Sequence, residues 1–138
     1  MRNPHVQTVI SAFWPDRLPA HGAVARTVPL ADGDTLVVHD DCPPGWQPGD
    51  RAVLLSHGLC GCHRSPLLVR LTQKLTQRGA RVFRMDLRGC GAGFTLAKQP
   101  YHAGRSDDLA AAIDAVLGWC RIGSPDVLPL SGETKPTP

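Results

Sequence analysis

The apolar positions between residues 23 and 122 follow two periods in turn, one typical of strands and one typical of helices. Two short segments rich in β-branched residues, 23–30 and 35–40, come first and are joined by a turn that contains Asp32-Gly33. An Asp-Gly pair between two such segments is a strong hairpin signal, because glycine adopts positive φ at little cost. The sequence therefore predicts a β-hairpin at the start of the folded region.

A short apolar run over residues 52–55 is typical of a strand buried in a parallel sheet. A loop of small residues follows it. A helix is then predicted over 66–78, because Ser65 is a favourable N-cap residue and proline is tolerated at the first helical position. Gly79 supplies the C-terminal stop. The expected buried face of this helix consists of Leu68, Leu71 and Leu75.

A second strand and a second helix follow. Residues 81–86 are predicted to form the strand, residues 87–105 a glycine-rich loop, and residues 106–120 a helix that begins at Ser106. Strand, helix and strand with short connections favour parallel pairing and a right-handed crossover. We expect one face of the second helix to pack on the sheet through Leu109, Ile113, Val116, Leu117 and Cys120.

Both ends of the chain are predicted to lie outside this α/β unit. Apolar residues at helical spacing before Pro15 predict a short helix docked on the core, or alternatively an element near a lipid-like substrate. The proline-rich end predicts a disordered tail. The expected organisation is an N-terminal helix and connector over 1–22, a folded unit over 23–122 and the tail over 123–138.

Composition narrows the class of protein. With 138 residues, 42% of them apolar and 20% charged, the chain is expected to form one globular domain. A net charge of +3 without a basic run gives no support to nucleic-acid binding. No apolar stretch reaches membrane-spanning length, and no secretory signal is present, so we expect a cytoplasmic protein. Five cysteines at uneven spacing favour reduced thiols over a disulfide framework.

The candidate chemistry lies directly after the central strand. His57-Gly58-Leu59 follows the apolar run and precedes a loop and a helix. The order of strand, His-Gly turn, loop and helix offers backbone N–H groups to an oxyanion that develops during acyl transfer. This arrangement indicates a hydrolase.

Four sequence blocks extend this indication along the chain. They are Asn3-Pro4-His5-Val6-Gln7-Thr8, Leu55-Ser56-His57-Gly58-Leu59, Asp86-Leu87-Arg88-Gly89-Cys90, and Tyr101-His102-Ala103-Gly104 with Asp108-Leu109. In this order they resemble the YheT-like branch of the α/β-hydrolases, over nearly the whole of residues 3–120. The resemblance implies an α/β-hydrolase-type, mostly parallel sheet introduced by a hairpin. It also implies a carboxylic-ester hydrolase with a serine nucleophile, acting on acylglycerols or other lipid esters.

The resemblance further implies site residues. The backbone of Gly58 and Leu59 would form the oxyanion hole, with the N–H of Leu59 as one donor. His57 and His102 become candidates for residues that line the site. The small-molecule or lipid ester is then the expected partner of a full-length form. Neither a metal nor a cofactor is expected.

The nucleophile is the point at which the sequence departs from the family. In this fold the serine stands in a G-x-S-x-G elbow after the next strand, and the acid and the histidine follow it. Here the nearest candidate is Ser131. Pro129 and Glu133 stand two positions before and after it, where the tight elbow requires glycine. We therefore expect a half-molecule that is truncated before the elbow and is inactive alone. The alternative is a non-catalytic fragment or binding module.

Rival interpretations of the same residues are weaker. His57, Cys60, Cys62 and His63 could be taken as zinc ligands, but a single residue between the two cysteines is a poor spacing for zinc. The glycine-rich sequence 88–93 lacks the dinucleotide-binding spacing. For Asp86 we predict a structural role, in which it bonds the N–H groups of the loop around 88–91.

One physical consequence follows from the missing strand. The strand over 52–56 is expected to be flanked by strand 81–86 on one side and by the nucleophile strand on the other. Without the latter, one apolar edge stays open, and open edges favour association. Poor solubility or loose packing is therefore predicted for the chain.

Overall fold

The computed structural model describes residues 22–102 and 104–122. The helix predicted before Pro15 and the tail predicted over 123–138 lie outside the described residues, as does Ser131.

The described residues form four strands, two α-helices and one 3-10 turn. In chain order they are β1 (Val24–Pro29), β2 (Thr35–Asp41), β3 (Ala52–Ser56), α1 (Pro66–Thr76), β4 (Arg81–Asp86), the 3-10 turn (Gly91–Gly93) and α2 (Ser106–Ile122). The predicted order of elements is therefore confirmed, with boundaries that shift by one to two residues.

The strands form one mixed sheet in the order β1-β2-β4-β3. β1 and β2 pair as the predicted antiparallel hairpin, and Gly33 adopts a φ of +86° in the turn between them. β2 also runs antiparallel to β4, whereas β3 and β4 are parallel, with Leu54 opposite Phe83. The predicted α/β fold class is confirmed. Among the described strands, only β3 and β4 form a parallel pair.

Alternation along β4 separates the two faces of the sheet. Phe83 and Met85 pack with Ala112 and Val116 of α2 in the main core cluster. Because successive side chains of a strand point to opposite faces, Val82 points to the other side, where α1 packs on β4. The two helices thus cover opposite faces.

The buried face of α1 differs from the prediction. Leu68 is buried as expected, but Val69 and Thr72 complete the face, and Leu71 is 38% exposed. A threonine is tolerated there because its hydroxyl donates to the carbonyl of Leu68 at 2.8 Å. Ser65 occupies the N-cap position without capping the helix, since its hydroxyl accepts from the backbone N–H of Cys62 at 3.1 Å.

The predicted apolar stripe of α2 is only partly buried. Val116 is buried beside Ala112, but Leu109, Ile113 and Leu117 are 43%, 43% and 50% exposed. Ile113 and Leu117 line a groove beside β3 together with Ala52 and Leu54. The helix therefore has a wider apolar face than the described sheet covers.

A buried ion pair at the start of β4 was not foreseen from the sequence. The side chain of Arg81 is fully buried, and its guanidinium donates two hydrogen bonds to the carboxylate of Asp40, at 2.8 and 2.6 Å. It also lies over the rings of Trp46 and Phe83. Bidentate geometry and aromatic faces are what an interior guanidinium requires.

Arg88, in the loop after β4, connects this loop to the hairpin turn and to the start of α2. Its guanidinium donates to Asp32 and Asp34 in the hairpin turn and, through two bonds, to Asp108 near the start of α2. These carboxylates raise the pKa of Arg88 above its usual value, with Asp108 as the largest cause and burial opposing. Because Arg88 points into this network, the glycine-rich sequence 88–93 is anchored by its first side chain.

Candidate functional site

A tight turn follows β3 and forms the centre of the candidate site. The N–H of Gly61 donates to the carbonyl of Gly58 at 3.1 Å, and Cys60 has a φ of +58°. A four-residue turn with positive φ at its third position only is of type II. Leu59, at the second position, is 86% exposed.

Two backbone donors of this turn are available to a ligand. Among residues 22–102 and 104–122, no acceptor takes the N–H of Leu59 or that of Cys60. The turn is closely packed at Gly61, since a Cβ there would lie 2.9 Å from the hydroxyl of Ser65 and 3.1 Å from the carbonyl of Gly58. Adjacent, fixed N–H groups of this kind can stabilise an oxyanion.

His57 holds the start of the turn. Its Nε2 accepts the backbone N–H of Leu87 at 3.0 Å, so Nδ1 carries the proton and donates to the carbonyl of Gly58 at 2.8 Å. The ring is buried, and both nitrogens are engaged. His57 thus connects the turn to the end of β4 and lies beneath the site.

Asp86 holds the other end of the same loop. Its carboxylate is fully buried and accepts the backbone N–H of His63 at 2.6 Å and that of Ala92 at 2.9 Å. The predicted structural role of Asp86 is thereby seen, although its loop partner Ala92 lies one residue beyond the predicted range. Asp86 connects the loop before α1 to the 3-10 turn.

Two histidine rings complete a polar cluster around Asp86. His39 Nε2 and His63 Nδ1 lie 3.1 and 2.7 Å from Asp86 Oδ2, and the two rings stack with centroids 3.6 Å apart. His39 was missed from the sequence. His39, Asp40 and Asp41 are consecutive polar residues, and only the pairing of β2 with β4 puts His39 on the same face of the sheet as Arg84 and Asp86.

This cluster is also the place where three potential metal ligands converge. The ligand atoms of His39, His63 and Asp86 lie within 4.8 Å of one another. Both rings hydrogen-bond to the same carboxylate oxygen, so a metal ion bound here would have to displace these two hydrogen bonds. The zinc interpretation from the sequence grouped His63 with His57 and two cysteines instead.

The cluster shifts two pKa values. Burial opposes ionisation of Asp86, but hydrogen bonds from His39, Ala92 and His63 outweigh it and lower the pKa to about 2. Burial lowers the pKa of His63, and the nearby His39 ring lowers it further, against the attraction of Asp86. The stable form at neutral pH is a carboxylate with a neutral His63.

Three thiols lie near the turn. Cys60 is exposed, and Cys62 and Cys90 are partly buried. Burial raises the pKa of Cys90, and the neighbouring charges of Asp86, Cys60 and Cys62 raise it further. All cysteines in the described part of the chain are free thiols.

His102 lies on the loop that precedes α2. It is exposed, and its Nδ1 accepts the backbone N–H of Gly104 at 3.2 Å. No hydrogen bond within the described residues joins it to the 58–61 turn. The structure thus brings His57, Gly58 and Leu59 together and places His102 on a separate loop.

Comparison with known proteins identifies the family to which this chain belongs. The sequence profile of the alpha/beta hydrolase fold matches residues 51–122, which contain the turn, both helices and the β3–β4 pair. The chain belongs to the α/β-hydrolase family. A search of curated protein sequences gave no match.

Solved structures agree with this assignment. An α/β serine hydrolase without a lid from Xanthomonas campestris is 25% identical, with a TM-score of 0.57, and the match covers 75% of this chain and 48% of that one. An α/β serine hydrolase homologue from Coxiella burnetii is 19% identical, with a TM-score of 0.54 and coverages of 67% and 44%. A monoglyceride lipase variant from Saccharomyces cerevisiae is 19% identical, with a TM-score of 0.55 and coverages of 79% and 34%.

The chain thus spans less than half the length of these structural relatives. No helix of its described part is long and apolar enough to cross a bilayer.

Proposed function

We propose that this chain supplies the oxyanion-binding part of a serine carboxylic-ester hydrolase. The observation that carries the proposal is the type II turn after β3, whose Leu59 and Cys60 N–H groups have no acceptor within the described residues. The turn lies at the carboxyl end of a strand that is parallel to its neighbour, where α/β folds bind ligands. Membership of the α/β-hydrolase family supports this assignment.

The chemistry of this turn is electrostatic. When a nucleophile attacks an ester carbonyl, negative charge develops on the carbonyl oxygen, and preorganised N–H donors stabilise it. Gly58 and Leu59 are the proposed residues of the hole, with the N–H of Leu59 as the first donor, and Cys60 adds a second N–H that the sequence had not indicated. His57 and Asp86 keep the loop in place, through Leu87 and through His63 and Ala92.

The remaining machinery is proposed to come from elsewhere. No G-x-S-x-G elbow occurs in the 138-residue sequence, and Pro129 and Glu133 stand in place of the glycines that the elbow has two positions before and after its serine, here Ser131. Since a serine must attack and a histidine must relay its proton, the chain alone is proposed to be inactive. The four sequence blocks support the YheT-like branch, and with it lipid or acylglycerol esters as substrates and a cytoplasmic location. His102 is kept as a residue that lines the completed site.

An ester assay tests the inactivity. The purified chain should release p-nitrophenol from p-nitrophenyl butyrate no faster than buffer does. Ser131→Ala is the control, because the sequence around Ser131 is the nearest candidate for the elbow. A rate above buffer that Ser131→Ala abolishes would show that Ser131 is a working nucleophile, and this part of the proposal would fail.

A binding measurement tests the turn itself. Sodium butyrate is the probe, and backbone amide shifts are followed by NMR. We expect saturable shifts at Leu59 and Cys60. Leu59→Pro removes one donor yet suits the second position of a type II turn, whereas Leu59→Ala keeps the donor. Weaker binding by the proline variant only is expected; equal binding by both variants would contradict the role of the Leu59 N–H.

A further inference from the structure

The positive charge of the chain is concentrated around α1. From Arg51 to Met85 the sequence contains seven lysines and arginines and no aspartate or glutamate, whereas the rest of the chain has eight lysines and arginines against twelve acidic residues. The net charge of +3 therefore arises in this segment alone. Arg81 and Arg84 are buried in ion pairs with β2, so the exposed part of this charge lies elsewhere in the segment.

Four exposed cations lie along α1 and just beyond its ends: Arg64, Arg70, Lys74 and Arg78. Two leucines lie among them, Leu67 with 66% and Leu71 with 38% of its surface exposed. At 3.6 residues per turn these six side chains share one side of the helix, which we call the outer face of α1. Within the described residues, no carboxylate forms a salt bridge with Arg64, Lys74 or Arg78. Most of the charge on the outer face thus has no counter-charge in the described part of the chain.

A wider sheet would not cover the outer face of α1. The helix packs on β4, and its buried residues Leu68, Val69 and Thr72 lie on the side that faces the sheet. Leu67 and Lys74 are about 140° away from the centre of that side at 100° per residue. Helices on one face of a sheet lie side by side in a single layer, so a further strand and its helix would be added beside α1 and not over its outer face.

The stability of the helix does not explain these charges. The helix dipole favours acidic residues in the first turn, yet α1 has none there and Arg64 stands just before it. Arg70, Lys74 and Arg78 follow one another at intervals of four residues, a spacing at which like charges destabilise a helix. In contrast, α2 has two acidic residues in its first turn and an arginine in its last. The row of cations on α1 therefore points to an anionic partner.

We propose that the outer face of α1 docks on the surface of a bilayer that contains anionic phospholipids. Lysine and arginine side chains are attracted by the negative surface potential of such a bilayer. Exposed apolar side chains beside them, here Leu67 and Leu71, enter the boundary between the head groups and the acyl chains. A nucleic acid would meet the same cations but would leave both leucines against phosphate and water. The proposal goes beyond the ester chemistry and stands whether or not the turn binds an oxyanion.

The test is co-sedimentation of the full chain with vesicles, with a spin without vesicles to correct for aggregation. The chain should bind vesicles that contain about one third phosphatidylserine in phosphatidylcholine, and should not bind phosphatidylcholine alone. Binding should weaken as salt is added, because exposed charges are screened. Lys74→Glu reverses a charge in the middle of the row and should weaken binding about tenfold or more. Arg121→Glu is the matched control, because it changes the net charge equally but lies exposed on α2, on the opposite face of the sheet.

A second pair of variants tests the contact with lipid. Leu67→Gln should weaken vesicle binding severalfold, whereas Leu109→Gln, at an exposed leucine of α2, should leave it nearly unchanged. All four substituted side chains are exposed, and circular dichroism checks that each variant is folded. The proposal would be overturned by binding without a preference for phosphatidylserine, or by equal effects of Lys74→Glu and Arg121→Glu. Unchanged binding of Leu67→Gln would also overturn it, because the cations would then be assigned to a soluble polyanion, such as a nucleic acid or an acidic peptide.

Discussion

The carboxylate of Asp86 holds His63 at two points, accepting its backbone N–H at 2.6 Å and its ring Nδ1 at 2.7 Å. Asp86 ends β4, whereas His63 lies in the loop between the oxyanion turn and α1. The buried ring of His57 makes a second connection from the turn to the same strand end, through the N–H of Leu87. The turn is therefore connected to the end of β4 at two points.

Stability is expected to fall in acid in two steps. The pKa of His63 is lower in the folded state than its ordinary value of 6.5, so below pH 6.5 the unfolded chain takes up the proton first and stability declines. The pKa of Asp86 is lowered from 3.8 to about 2, so a further loss occurs between these values as the pH falls. Urea denaturation across a pH series measures both.

The variant Asp86→Asn tests how much the Asp86 carboxylate contributes to this dependence of stability on pH. The amide cannot reproduce the charge-assisted bonds to the rings, so a loss of about 2 kcal/mol at pH 7 is expected, in line with the pKa shift. The loss should shrink as the pH falls toward 2, the region in which the Asp86 carboxylate begins to take up a proton. Asp114→Asn on the exposed face of α2 is the control and should change stability little at any pH. A constant loss across the series would contradict the electrostatic explanation.

Gly91→Ala should disrupt the same region by steric conflict. Gly91 has a φ of +52°, and an added Cβ would overlap the carboxylate of Asp86. Backbone strain and overpacking together predict a loss of about 2–4 kcal/mol. Gly33→Ala is a matched control, because Gly33 also has positive φ but has no atom within 4 Å of the added Cβ. Thermal or urea unfolding of the two variants should differ by the cost of the overlap, and equal losses would show that the carboxylate moves aside freely.

Asp40→Asn tests the buried pair at the start of β4. The fully buried guanidinium of Arg81 would keep its charge but lose its bidentate carboxylate, and Arg26 would lose its partner on the same residue. Breaking one side of a buried pair typically costs about 3–5 kcal/mol. Urea denaturation measures the loss, with Asp114→Asn again as the exposed control. A loss below about 1 kcal/mol would mean that water or the carbonyl of Trp119 satisfies Arg81.

Local signals in the sequence were sufficient for the order of elements. The Asp32-Gly33 turn predicted the hairpin, and the stop at Gly79 is seen as a φ of +78° with the N–H of Ala80 returning to the carbonyl of Leu75. The His-Gly sequence after β3 predicted a turn that offers backbone donors. These features depend on residues that are close together in the chain.

Contacts between distant residues were harder to predict. His39 and Asp86 are 47 positions apart, and nothing in either segment identifies the other as its partner. The prediction that the whole apolar stripe of α2 is buried was wrong in part, for a different reason. Helical periodicity identifies an apolar face, but the width of the sheet beneath it decides how much of that face is buried, and here β3 is the last described strand.

The thiols near the turn provide a chemical test of the site. Cys60 is exposed on the turn, whereas Cys90 is partly buried, and burial followed by the charge of Asp86 raises its pKa. Because the thiolate is the reactive form, iodoacetamide at pH 8 should modify Cys60 well before Cys90 in the folded chain. Peptide mapping by mass spectrometry measures the two rates, and modification in urea gives the reference in which both thiols are exposed.

In Asp86→Asn the loss of the neighbouring negative charge should speed the reaction of Cys90 and leave that of Cys60 nearly unchanged. If Cys90 reacted as fast as Cys60 in the wild-type chain, the packing of the 3-10 turn against the end of β4 would have to be looser than the structure shows.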